Sequence, residues 1–357
     1  MTRRIDVRIL TPFGASSGMG NWRTASRYAQ MLRSSGINAS IYEASKIDDA
    51  CAESGQRTVA VVLNASRSAE HVHTFVAAGI PVMIVMTGTD LYGALRPDRE
   101  GQPAYLAAQS AMRAASLLIT LQEEAQQEIA RRWPDLADRV FVLTQTSPQR
   151  KPYAPVITPQ SKTVRFMIAG HIREEKDPRT AFQAFHLAFP DGWATRADGG
   201  RVPVRLIHVG SYQDKTLAHE LVLLAGQYPG ILVEGSLTHA ATMRQMTHVH
   251  CLIQPSISEG GALVIAEAVA CRLPVIASSI PAHRAQLGAD YPGLFQVGDA
   301  RDLARQLQRF VADADFVEQL RRRQGALKAK LAMPAHERDE LVRLVRRLVE
   351  FLPEEHV

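Results

Sequence analysis

Pro255-Ser-Ile-Ser-Glu-Gly-Gly-Ala-Leu-Val-Ile-Ala-Glu-Ala-Val-Ala-Cys271 is the stretch on which the fold turns. The apolar run before it, Val249–Ile253, reads as a buried strand. The stretch then reads as a glycine turn carrying Glu259, followed by an alanine-rich helix carrying Glu267. This spacing predicts that Gly260, Gly261 and Ala262 open the helix, where backbone N–H groups lack intrahelical partners and the macrodipole adds partial positive charge. Such an end suits phosphate. Carboxylates on either side can accept hydrogen bonds from the paired hydroxyls of a sugar and a ribose. A diphosphate with two polyols is a nucleotide sugar. A strand, a glycine turn and an alanine-rich helix also occur in any parallel α/β sheet, and Glu267 also fits a solvated helix position, so the rest of the chain has to decide.

A length of 357 residues suits two domains, and 46% hydrophobic with 22% charged residues is ordinary for a globular protein. The net charge of +5 agrees with an anionic ligand. No RNP-like aromatics, zinc-finger spacing or helix-turn-helix signature accompanies it, so no nucleic-acid partner is expected. Cys51, Cys251 and Cys271 are odd in number and lack CxxC spacing, so neither a disulfide framework nor a metal site follows. Cys251 and Cys271 read as small core hydrophobes. The N-terminus passes straight into a strand, and no run of 18 apolar residues occurs. These features read as no signal peptide, no membrane partner and a cytoplasmic protein.

Outward from the opening stretch, strands and helices alternate along the chain. Ile5–Thr11 reads as a strand, Pro12–Gly20 as a Gly/Ser loop, and the next segment as a helix with Ala25, Tyr28, Ala29 and Leu32 on one face. Gly14, Gly18 and Gly20 let backbone approach a ligand closely, although neither GxGxxG nor P-loop spacing is present. Asn21 and Arg23 either line an anion or acceptor site or, for Asn21, simply cap the helix. Further strand-like runs fall at Val59–Leu63, Pro81–Met86, Leu117–Leu121 and Val140–Leu143, with helical stretches at Ala69–Ala78, Tyr105–Ala115 and Glu123–Trp133. Near-continuous apolar strands alternating with helices predict a parallel sheet covered on both faces. Ligands of such sheets bind beyond the carboxyl ends of the strands, which adds Arg67, Thr89 and Asp90 to Gly14, Gly20, Asn21 and Arg23 as acceptor-side candidates.

From Gln145 to Lys162 the chain holds four prolines and no apolar period, and reads as a linker. A second alternating set follows: strand Val164–Ala169, the Gly170 loop, helix Arg179–Ala188, strand Val204–Val209 with Gly210, helix Lys215–Ala225, strand Gly230–Val233, a helix after Thr238, the opening stretch, and strand Pro274–Ala277. Trp193–Arg201 reads as a surface loop, and residues 315–352 as basic helix with a solvated face. The predicted organisation is an α/β protein of two Rossmann-like doubly wound parallel-sheet domains facing across a cleft. Residues 1–150 form the acceptor domain, 151–163 the linker, 164–332 the nucleotide-sugar donor domain, and 333–357 a C-terminal helix free to return to the first domain.

Laid out in this order, the chain resembles glycosyltransferases of the two-Rossmann-domain, or GT-B, type, in particular the retaining group called family 4. The resemblance spans nearly the whole length. It rests on Glu259 and Glu267 with the following Ala-Cys-Arg-Leu-Pro-Val-Ile-Ala-Ser, on the strand–loop with Gly170 and Lys176, and on Leu-Ile-His-Val-Gly210. It implies that Lys176 contacts the donor diphosphate, Glu259 the transferred sugar and Glu267 the ribose hydroxyls. Gly260, Gly261, Ala262 and Leu263 would offer backbone N–H groups, with Gly210 and Leu237 lining the donor. It implies no cofactor and no metal, because a lysine and a helix end stabilise the charge that develops on the leaving diphosphate; no Asp-x-Asp pair is read as a metal site. His171 stands where family members carry Arg, and Arg173, two residues on, would take over the diphosphate contact or face the acceptor. Thr89 stands where they carry His.

A narrower resemblance covers these departures. Thr-Gly-Thr-Asp-Leu-Tyr (87–92), Gly-His-Ile-Arg-Glu-Glu-Lys-Asp-Pro (170–178), Glu-Gly-Gly-Ala (259–262) and Asp-Tyr-Pro-Gly-Leu-Phe-Gln-Val-Gly-Asp (290–299) look like the selenosugar synthases of selenoneine biosynthesis. That resemblance implies UDP-N-acetylglucosamine as donor and selenophosphate as acceptor. An acceptor that is already an anion needs no general base, which makes Thr89 intelligible, but it needs cations, for which Arg23, Arg67 and Arg173 are candidates. The alternatives are transfer to a hydroxyl of a small molecule, lipid or polysaccharide, and binding without turnover.

Overall fold

The computed structural model describes residues 5–14, 20–52, 57–149, 151 and 153–352. The loop segment holding Gly18 lies outside them. The chain divides into two units: unit 1 comprises Met1–Gln145 with Pro334–Val357, and unit 2 comprises Thr146–Met333.

Unit 1 contains β1 (Asp6–Thr11), α1 (Gly20–Ser34), β2 (Asn38–Glu43), α2 (Ile47–Ala52), β3 (Thr58–Leu63), α3 (Ala69–Ala77), β4 (Val82–Val85), α4 (Pro103–Ala114), β5 (Leu117–Thr120), α5 (Glu123–Arg132) and β6 (Val140–Val142). Its sheet runs β2-β1-β3-β4-β5-β6, with every adjacent pair parallel. The strands are apolar on both faces because both faces are covered: β3 reads Thr-Val-Ala-Val-Val-Leu and is buried throughout. β2 and α2 escape the sequence reading. β2, Asn-Ala-Ser-Ile-Tyr-Glu, is an edge strand with one buried residue, so it lacks the apolar run that marks its neighbours.

Unit 2 contains β7 (Val164–Ala169), α6 (Pro178–Ala188), β8 (Trp193–Thr195), β9 (Arg201–Val209), α7 (Lys215–Gln227), β10 (Ile231–Gly235), α8 (His239–Met246), β11 (Cys251–Gln254), α9 (Leu263–Ala270), β12 (Val275–Ser278), α10 (Pro281–Leu287), β13 (Leu294–Phe295), α11 (Ala300–Ala312) and α12 (Ala314–Leu331). The sheet order is β10-β9-β7-β11-β12-β13, again parallel. From β7 the chain builds outward through β9 to β10, then returns to place β11 on the other side of β7. β7 and β11 therefore flank the topological switch point, the place where a doubly wound sheet opens a crevice for ligands. Cys251 and Cys271 are fully buried among apolar side chains.

Two expectations are corrected here. The segment Trp193–Arg201 is not a free loop: β8 pairs antiparallel with the start of β9, Ala194 opposite Val202. The helix in the opening stretch begins at Leu263, with Ala262 as its N-cap, so Gly260 and Gly261 belong to the preceding loop. Separately, the basic C-terminal stretch is two helices, α12 and α13 (Pro334–Val349), with Pro334 opening the second. α13 belongs to unit 1, where Leu341, Leu344, Val345 and Leu348 pack in one cluster with Val7, Tyr28, Leu32 and Val61 of β1, α1 and β3. Glu337 at its start is fully buried and pairs with Arg27 of α1 at 2.6 Å.

Candidate functional site

In unit 2 the candidate residues leave the carboxyl ends of adjacent strands. After β7, the loop from Gly170 runs beside the loop after β9: Ile172 N–H donates to Ser211 O and Asp214 N–H to Ile172 O, both at 2.9 Å. The approach is so close that a Cβ on Gly210 would lie 1.9 Å from the Gly170 carbonyl oxygen. Gly210, expected at the donor, is thus buried beneath Gly170, and its missing side chain serves loop packing instead. His171 Nδ1 accepts from Ser211 N–H (3.2 Å) and faces its hydroxyl at 2.7 Å. With Nδ1 accepting from an N–H, the neutral ring carries its proton on Nε2.

The chain then makes one 3-10 turn, Glu174–Lys176, and Asp177 adopts a left-handed conformation (φ +44°). The Asp177 carboxylate caps α6 by accepting from Thr180 N–H at 3.3 Å, and Pro178 takes the first helical position. Arg179 clamps the turn from outside, reaching Glu174 at 2.8 Å and Glu220 at 2.7 Å. These constraints lay the Lys176 stem over Gly170 and bring its ammonium onto Glu259. A further strap joins the two loops, as Ile257 N–H donates to Glu175 O at 3.0 Å. Arg173 sits at the turn's start with Nη1 3.2 Å from Glu175, and its buried Nε has no hydrogen-bond partner.

Glu259 is the centre of the cluster. Its Oε1 accepts from Lys176 Nζ, from Gln254 Nε2 at 3.0 Å and from Ser256 Oγ at 2.8 Å. All three donors converge on one oxygen, so Oε2 is left to a ligand. Burial works to raise the Glu259 carboxyl, but the Lys176 charge and its hydrogen bond, then His283 and the Ser256 hydroxyl, outweigh this and hold the pKa below the usual value. Behind Ser256, Ser278 Oγ donates to Ser256 O, and His283 Nδ1 lies 2.8 Å from Ser278 O. His283 is fully buried, and burial lowers its pKa to about 4. Glu267 is not a solvated residue: it lies buried on α9, its Oε1 2.9 Å from His239 Nε2 at the start of α8. Leu237, in the loop after β10, is half-buried against the unit 2 core.

In unit 1 the candidates fall into two groups. Asn64 follows β3 in a left-handed conformation (φ +70°), fully buried. Its Nδ2 donates to Thr87 Oγ1 (3.0 Å) and Thr89 Oγ1 (2.9 Å), and its Oδ1 accepts from Arg67 N–H (3.0 Å). Asp90, expected at the acceptor, is corrected to a loop builder. It is fully buried, with Oδ1 accepting from Gly88 and Leu91 N–H and Oδ2 from Ala65 and Thr87 N–H, so neither oxygen is left for a ligand. The half-buried Thr89 accepts from Asn64 and keeps its own proton to donate. The Arg67 guanidinium is exposed and lies 4.8 Å over the Phe13 ring, which joins the loops after β3 and β1. Gly14 is half-buried, and a Cβ there would meet the Glu43 carboxylate at 2.3 Å. Gly20, Asn21 and Arg23 form the first turn of α1, with Gly20 exposed and the other two half-buried.

The sequence reading gives no individual role to Gln254, Ser256, Ser278, His283, His239 or Asn64. Gln254 and Ser278 carry the one available signal, a polar residue ending an apolar strand. Among the described residues, no group of three or more His, Cys, Asp or Glu is arranged to hold a metal ion. The Asp-x-Asp spacing at Asp313-Ala-Asp315 is a helix cap: Asp313 accepts from Phe316 N–H at 3.0 Å and pairs with Arg309 at 3.0 Å. No helix among the described residues is long and apolar enough to cross a membrane.

The family described as Glycosyl transferases group 1 matches residues 150–326, most of unit 2. Among solved structures, sucrose-phosphate synthase from Thermosynechococcus elongatus is similar at a TM-score of 0.76 and 14% identity, over 97% of this chain and 100% of that one. The Anabaena protein HepE, solved in complex with UDP, gives 0.70 and 13% over 96% and 100%. A mutant of S. aureus TarM, in complex with fondaparinux, alpha-GlcNAc-glycerol and UDP, gives 0.63 and 11% over 82% of this chain and 56% of that chain. The chain thus spans little more than half the length of TarM. These similarities establish a fold of two Rossmann-like parallel-sheet units.

Proposed function

We propose that the protein is a UDP-sugar-dependent glycosyltransferase acting on a hydroxyl acceptor. The observation that carries this reading is the meeting of Lys176 and Glu259 at the switch point of unit 2, with one Glu259 oxygen saturated by donors and the other open. In this reading Glu259 Oε2 accepts from a hydroxyl of the transferred sugar and Glu267 from the ribose. Lys176, Arg173, His171 Nε2–H and the backbone N–H groups from Gly260 to Leu263 face the diphosphate. As the anomeric C–O bond breaks, its electron pair goes to the diphosphate oxygen, and these fixed donors stabilise the charge that appears there. The acceptor oxygen then bonds to the anomeric carbon, and its proton passes to the leaving diphosphate oxygen. Support comes from the group 1 family match to unit 2 and from the UDP of HepE and TarM, the latter with a sugar on glycerol.

The finer reading, transfer of N-acetylglucosamine to selenophosphate, rests on Thr89 and His171 and on one feature of unit 1. Arg67 presents an exposed guanidinium in the loop after β3, and its backbone N–H and the Thr89 hydroxyl are both held by the Asn64 side chain. One assay tests both: UDP release and product mass from UDP-glucose and UDP-N-acetylglucosamine, with a panel of hydroxyl acceptors, phosphate, thiophosphate and selenophosphate. Product with hydroxyl acceptors alone rejects the selenium reading. Absence of both UDP binding and UDP release with every pair rejects the function.

A further inference from the structure

We propose that His283 is a positioning residue that sets, through Ser278 and Ser256, which oxygen of Glu259 faces the sugar. The inference rests on the function proposed above.

The chain of contacts is directional. A carbonyl oxygen only accepts, so the 2.8 Å contact of His283 Nδ1 with Ser278 O requires the proton on Nδ1. His283 Nε2 is buried without a partner, so Nδ1 is the ring's one polar anchor. The ring thereby fixes the carboxyl end of β12 from the first turn of α10. Ser278 Oγ, 3.2 Å from the same nitrogen, donates to Ser256 O and so fixes the neighbouring loop after β11. Ser256 Oγ, with its backbone held, can donate only where it points, to Glu259 Oε1 at 2.8 Å. Gln254 and Lys176 reach the same oxygen on longer stems, and the buried Gln254 Nε2 also donates to Ser256 Oγ at 3.0 Å, so its own placement follows that hydroxyl. Ser256 has one χ angle, so the Ser256 bond is the element of the set that fixes direction. Every member from His283 to Ser256 is fully buried. Water therefore has no route to replace the relay when one link is removed.

The sugar contact is made by Oε2, and UDP alone lacks the sugar. The relay should therefore matter for the sugar nucleotide and not for UDP. His283→Ala and Ser256→Ala are each expected to lower kcat/KM for the UDP-sugar by about tenfold, with UDP affinity within about twofold of wild type. His283→Asn, whose amide N–H can stand where Nδ1–H stands, should recover most of the loss. The double variant Ser256→Ala/His283→Ala should lose about tenfold and not about a hundredfold, because both changes cut one chain. The proposal is overturned if the two effects multiply, if His283→Asn is no better than His283→Ala, or if UDP binding falls with them, which marks general damage to the unit. Should His283→Ala not fold, Ser278→Ala cuts the same relay one link on and is held to the same outcomes. Should wild type bind no UDP-sugar, the functional reading has failed but the relay is still measurable. The carboxyl-carbon NMR signal of Glu259 in ligand-free protein should titrate higher in Ser256→Ala and in Ser278→Ala, which both leave the His283 ring in place, than in wild type, and an unmoved midpoint refutes the relay.

Discussion

Replacing Lys176 by methionine separates the two roles of the Lys176–Glu259 pair. The side chains are 17% and 10% exposed, so the pair lies in a poorly solvated site. Breaking such a pair by removing one partner costs about 3–5 kcal/mol when the other charge stays stranded. Glu259 is not stranded, since Gln254 and Ser256 still donate to Oε1 and the carboxyl can take up a proton. That brings the expected loss to about 1–3 kcal/mol, or roughly 4–8 °C in the melting of a unit of this size for the middle of the range. The pH dependence has a definite sign. The folded Glu259 pKa lies below the unfolded value of about 4.3, so its contribution is present above that pH and lost as pH falls through the folded pKa. The stability deficit of Lys176→Met should therefore be largest at neutral pH and close in acid. Turnover should fall further, by roughly a hundred- to a thousandfold, because under the proposed function Lys176 donates to the leaving diphosphate. The double variant Lys176→Met/Glu259→Gln should recover the melting temperature without recovering turnover. Calorimetry and UDP release measure the two. A Lys176→Met protein with unchanged melting and turnover within about threefold of wild type would refute the reasoning.

Three further outcomes are expected. His208, His250 and His283 are buried, and each pKa is lowered to about 4, so the unfolded chain binds more protons than the folded one between about pH 6.5 and 4. Unit 2 should lose stability as pH falls through that window, and His208→Leu should reduce the slope of unfolding free energy against pH by about one proton. Gly210→Ala pushes a methyl into the Gly170 carbonyl and should cost about 3 kcal/mol or more, together with donor affinity, read by thermal melting and UDP titration. Asp90→Asn places an amide where a carboxylate accepts four backbone N–H groups, so it should destabilise unit 1 by about 2–4 kcal/mol and raise acceptor KM while UDP binding holds.

The apolar strands and the glycine turn before α9 were legible because a parallel sheet buried on both faces demands near-continuous apolar runs. Glu259 in the turn after β11 and Glu267 on α9 stand out as single residues, and Lys176 through the family resemblance. What they touch does not. Gln254, Ser256, Ser278 and His283 are ordinary polar residues in sequence, and they become a set only when β11 and β12 lie side by side. Asp90 misled because a carboxylate in a post-strand loop has the same appearance whether it faces a ligand or gathers backbone N–H groups. Edge strand β2 and two-residue β13 carry too little apolar pattern to be seen.

The assignment of α13 to unit 1 bears on how the chain is made. Unit 2 is one uninterrupted segment whose ends meet, Ser147 N–H on Leu331 O at 2.9 Å, and it can close as soon as it has been synthesised. Unit 1 cannot. Tyr28, Leu32 and Val7 wait for Leu341, Leu344 and Leu348, and each such leucine contributes about 1.5–3 kcal/mol on burial. During translation the first unit stays an unfinished sheet with an uncovered apolar face while all of the second is produced. A released chain truncated before Pro334 should therefore present a folded second half and a first half open to chaperones.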